Sequence, residues 1–393
     1  MLSLLVVVTA YAYFSTLPGE PQSTGQDAPG AAGSADAAEE GAERPEAPAP
    51  AVRDSAPAPQ PEEVGPDAEI VRQAVGLFNS GDYEGAVRLL REIPEPDGKV
   101  LATIGLAYYK LGDYRSAVEY LEEAADRDDD FLVRKFLAIA YYRLDDLDRS
   151  LSNAEAGLSI QDDRELRGLY DKVKRELATQ DGYVKEETLH FKVLFNGYEH
   201  GGLSRSIIGI LEDAYRTIGQ ELNYFPSDPV TVILYTRKDF FDITRVPGWT
   251  GGIYDGKIRV PVKGLRGDEE VLRRVLFHEY THALIHSITR NCPQWINEGL
   301  ADYFSGGYSE RVGQVIPLRS LEGPFLGLDR RVVGIAYRES YSAVSYLVDR
   351  YGLFRIKELL LSLSGGADLN EAFNSAFSIS YDEFVSAWGR ELD

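Results

Sequence analysis

The chain has a single cysteine, Cys292, and its only methionine is Met1. A lone thiol excludes an intramolecular disulfide framework, so the fold must rest on buried apolar surface. For that, 393 residues at 44% hydrophobic composition suffice, with room for two domains. The missing disulfides do not argue against export. Basic residues are also scarce, 41 against 63 acidic ones, for a net charge of −22. The deficit is lopsided, with −5 over residues 182–393 and −17 over residues 1–181. No basic stripe exists to displace counterions from phosphates, which argues against nucleic acid as a partner. The acidic front half reads instead as the solubilising charge of a tethered domain. Apolar runs are short. Leu2–Phe14 is a charge-free run of thirteen residues, extending to Leu17 if Ser15 and Thr16 are tolerated. It has the length of a secretory core and falls short of the about 20 residues of a comfortable membrane span.

These limits set expectations for the front of the chain. Residues 1–17 are expected to be a signal peptide, with Ala10-Tyr11-Ala12 as a cleavage signal, or a membrane anchor, which would place the protein in the cell envelope outside the cytoplasm. No Lys or Arg precedes the run, so the true start is expected upstream. The competing reading is a stray apolar terminus on a cytosolic protein. Residues 18–66 are Ala, Pro, Glu and Gly with almost no large apolar side chain. Such a composition predicts a disordered, extended spacer.

From Asp67 the pattern turns helical and repeats. Gly81-Asp82-Tyr83 with Ala86, Gly112-Asp113-Tyr114 with Ala117, and Asp145-Asp146-Leu147 with Ser150 recur at intervals of 31 and 33 residues. Each follows an apolar helical stretch, and Pro94 and Pro96 break the first repeat early. The arrangement resembles tetratricopeptide repeats, in which a small residue at the turn lets paired helices cross closely. Residues 67–180 are therefore expected to form a three-repeat all-α solenoid, capped by a helix over Asp163–Ala178. The resemblance implies a protein partner. Gln180-Asp181-Gly182 has loop composition, and a separable second domain is expected over residues 185–393.

That domain is organised around Phe277–His286, FHEYTHALIH. On a helix His278 and His282 lie one turn apart on the same face, so two imidazoles can bind one metal ion, with Glu279 beside them as a base. The following stretch, QWINEGLADYF from Gln294 to Phe304, supplies a carboxylate, Glu298, as third ligand. Zinc in hydrolytic sites commonly takes three protein ligands and leaves one position open. Asp302, one turn past Glu298, is placed to hold the free N–H of a ligating histidine. His286 shares the His282 face but is read as a packed or exposed helix residue. His190 and His200 lack ligand spacing, and Cys292 is read as a bystander.

HEYTH followed by WINEGLADYF resembles the gluzincin metallopeptidases, and its spacing fits the small peptidase MA-like domains that follow tetratricopeptide repeats in bacterial proteins. The resemblance covers about residues 188–390. It implies an α+β zincin-like domain with a strand-rich N-lobe and a helical C-lobe, bound zinc, and a peptide or protein substrate. Strands are expected over Leu189–Phe195, with Leu189, Phe191, Val193 and Phe195 inward, and over Val230–Tyr235. An Asp255-Gly256 hairpin follows. One of its strands, Gly251–Tyr254 or Ile258–Val260, would be the open edge along which gluzincins bind peptide, or the hairpin is an ordinary one. The helix expected from Tyr337 to Tyr351 resembles the stretch of gluzincin aminopeptidases whose first tyrosine binds the oxyanion. This makes Tyr337 the catalytic donor, with Arg338 and Tyr341 as alternatives. Its core reading is an apolar stripe of Tyr341, Val344 and Leu347. No Gly-x-Met-Glu-Asn motif occurs, which favours an endopeptidase over an aminopeptidase. The alternative class is an inactive metal-binding scaffold whose repeats carry the interaction.

Overall fold

The structure is a computed structural model. It describes residues 66–197, 204–244, 252–262, 269–308, 315–325, 328 and 330–391. The expected export segment and nearly all of the spacer lie outside these residues, as does Gly251. Among the described residues, no helix is long and apolar enough to cross a membrane.

Three helix pairs form the front: α1 (Pro66–Ser80) with α2 (Tyr83–Leu90), α3 (Gly98–Leu111) with α4 (Tyr114–Arg127), and α5 (Phe131–Arg143) with α6 (Leu147–Ile160). Helix α7 (Arg164–Gln180) caps the stack and runs slightly past its expected end. Asp82, Asp97, Asp113, Asp130, Asp146 and Asp163 each accept a backbone N–H at the start of a helix. An N-cap is worth about 1 kcal/mol, so part of the acidity of this half is structural. The glycines of the first two turns, Gly81 and Gly112, are left-handed, at φ 89° and 86°. In the third turn Asp145 takes the same conformation, at φ 65°, which Asp tolerates better than most residues.

Behind the repeats lies a five-stranded mixed sheet in the order β1 (Tyr183–Glu187), β2 (Phe191–Asn196), β3 (Val230–Tyr235), β5 (Ile258–Pro261), β4 (Ile253–Tyr254). β2, β3 and β5 run parallel, and β1 and β4 are antiparallel to their neighbours. The sequence reading missed β1, whose Lys185, Glu186 and Glu187 hide the strand pattern; such charges are common on an edge. The first expected strand begins two residues late. Thr188 turns the chain, its hydroxyl accepting from the Phe191 N–H, and Leu189 is 81% exposed rather than inward. β5 is paired on both sides, so Ile258–Val260 cannot be the open edge; β4 can.

The two sheet faces have different covers. Phe191, Val193, Phe195, Val232, Leu234, Ile258 and Val260 join the main core with α8 (Ser204–Leu222) and α10 (Glu269–Ile288). The opposite face carries Ile233, Tyr235 and Arg259 and lies against α9 (Arg237–Thr244) and the cap helix α7. The C-lobe is helical: α11 (Gln294–Phe304), α12 (Arg330–Tyr351), α13 (Leu353–Ser364), α14 (Leu369–Phe377) and α15 (Tyr381–Glu391). Helix α12 starts seven residues before the Tyr337 expected to open it, so Tyr337 sits mid-helix.

Candidate metal centre

Helix α10 is buried on several faces, which fixes its rotation and the direction of its polar side chains. The His278 and His282 rings meet edge to face at 4.7 Å. Helix α11 is pinned beside it by Trp295, fully buried and stacked at 5.8 Å on Phe384 and 6.2 Å on Tyr381. Gly299 lets α12 approach α11, because a Cβ there would run into the Ser340 carbonyl and Val344. The W-x-N-E-G stretch thus combines an anchor, a ligand and a close crossing.

The Nε2 atoms of His278 and His282 each lie 3.4 Å from Glu298 Oε2. Candidate ligand atoms of the three residues all fall within 4.8 Å of one another. Zinc bonds of roughly 2.1 Å at the tetrahedral angle require neighbouring ligand atoms about 3.4 Å apart. Glu298 Oε2 is buried without a hydrogen bond, while Oε1 accepts from the Gln294 amide at 2.7 Å. A buried orphan oxygen facing two imidazole nitrogens fits a divalent cation. The outer ring is also in place. Asp302 Oδ1 lies 3.2 Å from His278 Nδ1, and Asn297 Oδ1 lies 3.0 Å from His282 Nδ1. Each imidazole is thereby turned to present Nε2 inward.

Burial opposes charge on both imidazoles, but Asp302 and Glu298 at His278, and Glu298 at His282, outweigh it and raise both above the ordinary histidine value. For Glu298 burial pulls upward and the two imidazoles win, holding the carboxyl well below its usual range. Such a pocket selects a positive charge at its centre, which a metal cation supplies by displacing protons.

Glu279 is buried and its Oε2 lacks a hydrogen-bond partner. Burial raises its pKa against the pull of His278 and His282, as suits a base that must take and return a proton. Above it lies Gly252, where a Cβ would sit 2.8 Å from Glu279 Oε1. The backbone entering β4 therefore passes directly over the base.

Tyr337 packs edge to face on Phe325, and burial together with Glu298, Asp302 and Glu279 pushes its phenol far upward. It remains a hydroxyl donor within the field of the site. Tyr341 instead packs against Gly307 and Tyr308, and Arg338 lies exposed over the Tyr308 ring at 5.8 Å. Tyr308 was missed in the sequence; burial and the neighbouring Asp302 carboxylate push its phenol far upward. Asn297, Gln294 and Gly252 were missed as well. Gln294 could have been found as the (i, i+4) neighbour of Glu298, and Gly252 from the Gly-Gly pair before a short strand.

The other titratable groups stand apart from the cluster. His286 packs on Tyr254 at 5.5 Å, and burial, Arg290 and Arg143 lower its pKa to about 3, leaving it neutral. His190 pairs with Glu212 and stacks on Tyr215, Cys292 is a free thiol outside the triad, and His200 lies outside the described residues.

Two imidazoles and a carboxylate converging on one point, with an unpaired carboxylate beside them beneath a sheet edge, define a hydrolase-like site able to hold a divalent cation. Residues 213–392 match the model of the Peptidase MA superfamily, and residues 98–131 match a tetratricopeptide repeat. Over these residues the chain is similar to a Peptidase MA superfamily domain preceded by a tetratricopeptide repeat. It is also similar to the uncharacterized protein YhcO of Bacillus subtilis (strain 168), 27% identical over 147 residues, which are 33% of this chain and 45% of that one. The chain thus spans less than half the length of that relative.

Proposed function

We propose that the domain is a zinc-dependent peptidase acting as an endopeptidase in the cell envelope, with His278, His282 and Glu298 as the metal ligands. The observation that carries this is the pair of 3.4 Å separations around the orphaned Glu298 Oε2, with Glu279 unpaired beside it. Zinc held by these three residues would supply Lewis acidity toward a carbonyl and a water acidified to a pKa of about 7. Glu279 accepts the proton of the attacking water and passes it to the leaving nitrogen. Tyr337 donates its hydroxyl to the oxygen on which charge develops. β4 offers its free edge to an extended peptide, and Gly252, lacking a Cβ, lets the backbone entering that strand lie over the base. Asp302 and Asn297 keep the imidazoles in register throughout. The repeats recruit a protein substrate or partner, and the apolar run at residues 1–17 supports export, with residues 18–66 as the tether.

Metal analysis of the purified protein should find about one zinc per chain, lost on His278→Ala or Glu298→Ala. Glu279→Gln should keep the metal and lose cleavage of an unfolded protein substrate. Near-stoichiometric zinc in both ligand variants, or undiminished cleavage by the Glu279 variant, would overturn the assignment.

A further inference from the structure

β5 is anchored in the sheet by β3, but β4, the edge half of the β4–β5 hairpin, is too small to hold its own position. β4 pairs with β5 through only two residue pairs, Ile253 with Arg259 and Tyr254 with Ile258, and a two-stranded ribbon of that size is marginal in water. Yet it carries the backbone that runs over the base. On its inner side Gly252 abuts Glu279, and Tyr254 packs on His286, one turn beyond His282.

On its outer side the hairpin is held by the repeats. Lys172 of α7 pairs with Asp255 Oδ2 at 2.7 Å, and Arg143, at the end of α5, donates to the Asp255 carbonyl at 2.7 Å. Asp145, the left-handed residue of the third turn, pairs with Lys257 at 2.5 Å. Gly256 completes the grip, since a Cβ there would collide with the Arg143 guanidinium. A second strut reaches the segment after α10, where Arg290 donates to the Tyr109 carbonyl at 3.2 Å and stacks on Tyr114. Asp145 accepts a conformation that glycine takes in the other two turns, and gains from it a partner in the hairpin.

We propose that the third repeat and its cap helix are a positioning part of the catalytic centre: Lys172, Arg143 and Asp145 hold the Asp255–Gly256 turn and so fix the Gly252 backbone against Glu279. This rests on the peptidase reading only for its kinetic consequence; the mechanical coupling stands apart from it. The three residues touch no metal ligand and no reacting atom. Their hydrogen bonds and ion pairs to the sheet fall on the hairpin.

The test uses the full chain with Lys172→Ala and Asp145→Asn. The first removes a half-buried ion pair, and the second keeps a residue that tolerates the left-handed conformation while removing the charge. Backbone amide exchange is measured at residues 252–258, with zinc content and peptide cleavage in parallel. Exchange there should quicken at least tenfold in both variants while the strands β2 and β3 and the zinc content stay unchanged. Cleavage should fall about 10- to 100-fold, mostly in kcat, as for a misplaced reacting group, and Lys172→Arg should restore both. Unchanged exchange at the hairpin overturns the proposal whatever the activity. If wild type binds zinc and cleaves nothing, the peptidase reading fails, and the exchange measurement still decides the coupling.

Discussion

Replacing Glu176 by alanine should be among the most damaging single changes outside the metal site. Glu176 lies on the cap helix α7 with no exposed surface, facing a fully buried arginine, Arg259 of β5, at 2.9 Å. It also accepts the Tyr142 hydroxyl at 2.6 Å, and the Lys257 ammonium lies 3.8 Å away. Removing one partner of a buried ion pair costs about 3–5 kcal/mol, because the remaining charge is stranded in a medium that cannot solvate it. Arg259 keeps three other contacts, Asp255 at 3.0 Å, the Tyr235 hydroxyl at 2.8 Å and the Tyr142 hydroxyl at 2.5 Å. The loss should therefore fall near the lower end, about 3 kcal/mol, against a typical total of about 5–15 kcal/mol. An internal control is Asp162→Ala, which breaks an exposed pair with Arg167 at 2.7 Å and should leave stability nearly unchanged. Urea titrations followed by tryptophan fluorescence give both values. A Glu176→Ala loss equal to that of Asp162→Ala would show that the network is solvated, and would refute a buried junction between repeats and sheet.

Two further outcomes follow from the same geometry. Tyr337→Phe should retain zinc and fold while lowering kcat about 10²- to 10³-fold with little change in KM, since an oxyanion donor acts only in the transition state; unchanged kcat with zinc bound would return Tyr337 to a packing role. Acid should loosen the junction: burial pushes the Asp255 carboxyl up, but Arg259 and Lys172 outweigh it and hold it well below the ordinary value of 3.8, so its contribution is complete above that value and lost as pH falls beneath it. Asp255→Asn should flatten that part of an acid-unfolding curve measured by circular dichroism, and an unaltered curve would dismiss the linkage.

What could be read from the chain divides along a physical line. Helical periodicity and local spacing carried the ligand set: His278 and His282 one turn apart, Glu298 on the next helix and Asp302 one turn on are facts of helix geometry, and their convergence needed only that α10 and α11 pack side by side. The repeats were legible for the same reason, since the Gly-Asp-Tyr turns encode a left-handed residue followed by an N-cap. Strand edges were less so. β1 escaped because an edge strand with charges on it has no hydrophobic alternation to display, and Leu189 was misplaced because a threonine turn broke the alternation just where it seemed to begin. The junction was the least legible part. Arg259, Lys257 and Asp255 look like solvent-facing charges of a hairpin, and Glu176 like one more acid on a polar helix. Only the pairing of elements about 80 residues apart shows that they neutralise one another in the interior. The Gln180–Gly182 stretch reads as a linker by composition, but α7 runs to Gln180 and β1 starts at Tyr183, so the chain passes from repeat to sheet with no slack. Over so short a connection the repeats and the sheet cannot move apart without pulling the Arg259–Glu176 pair into water. On that ground the two halves are expected to unfold in one transition.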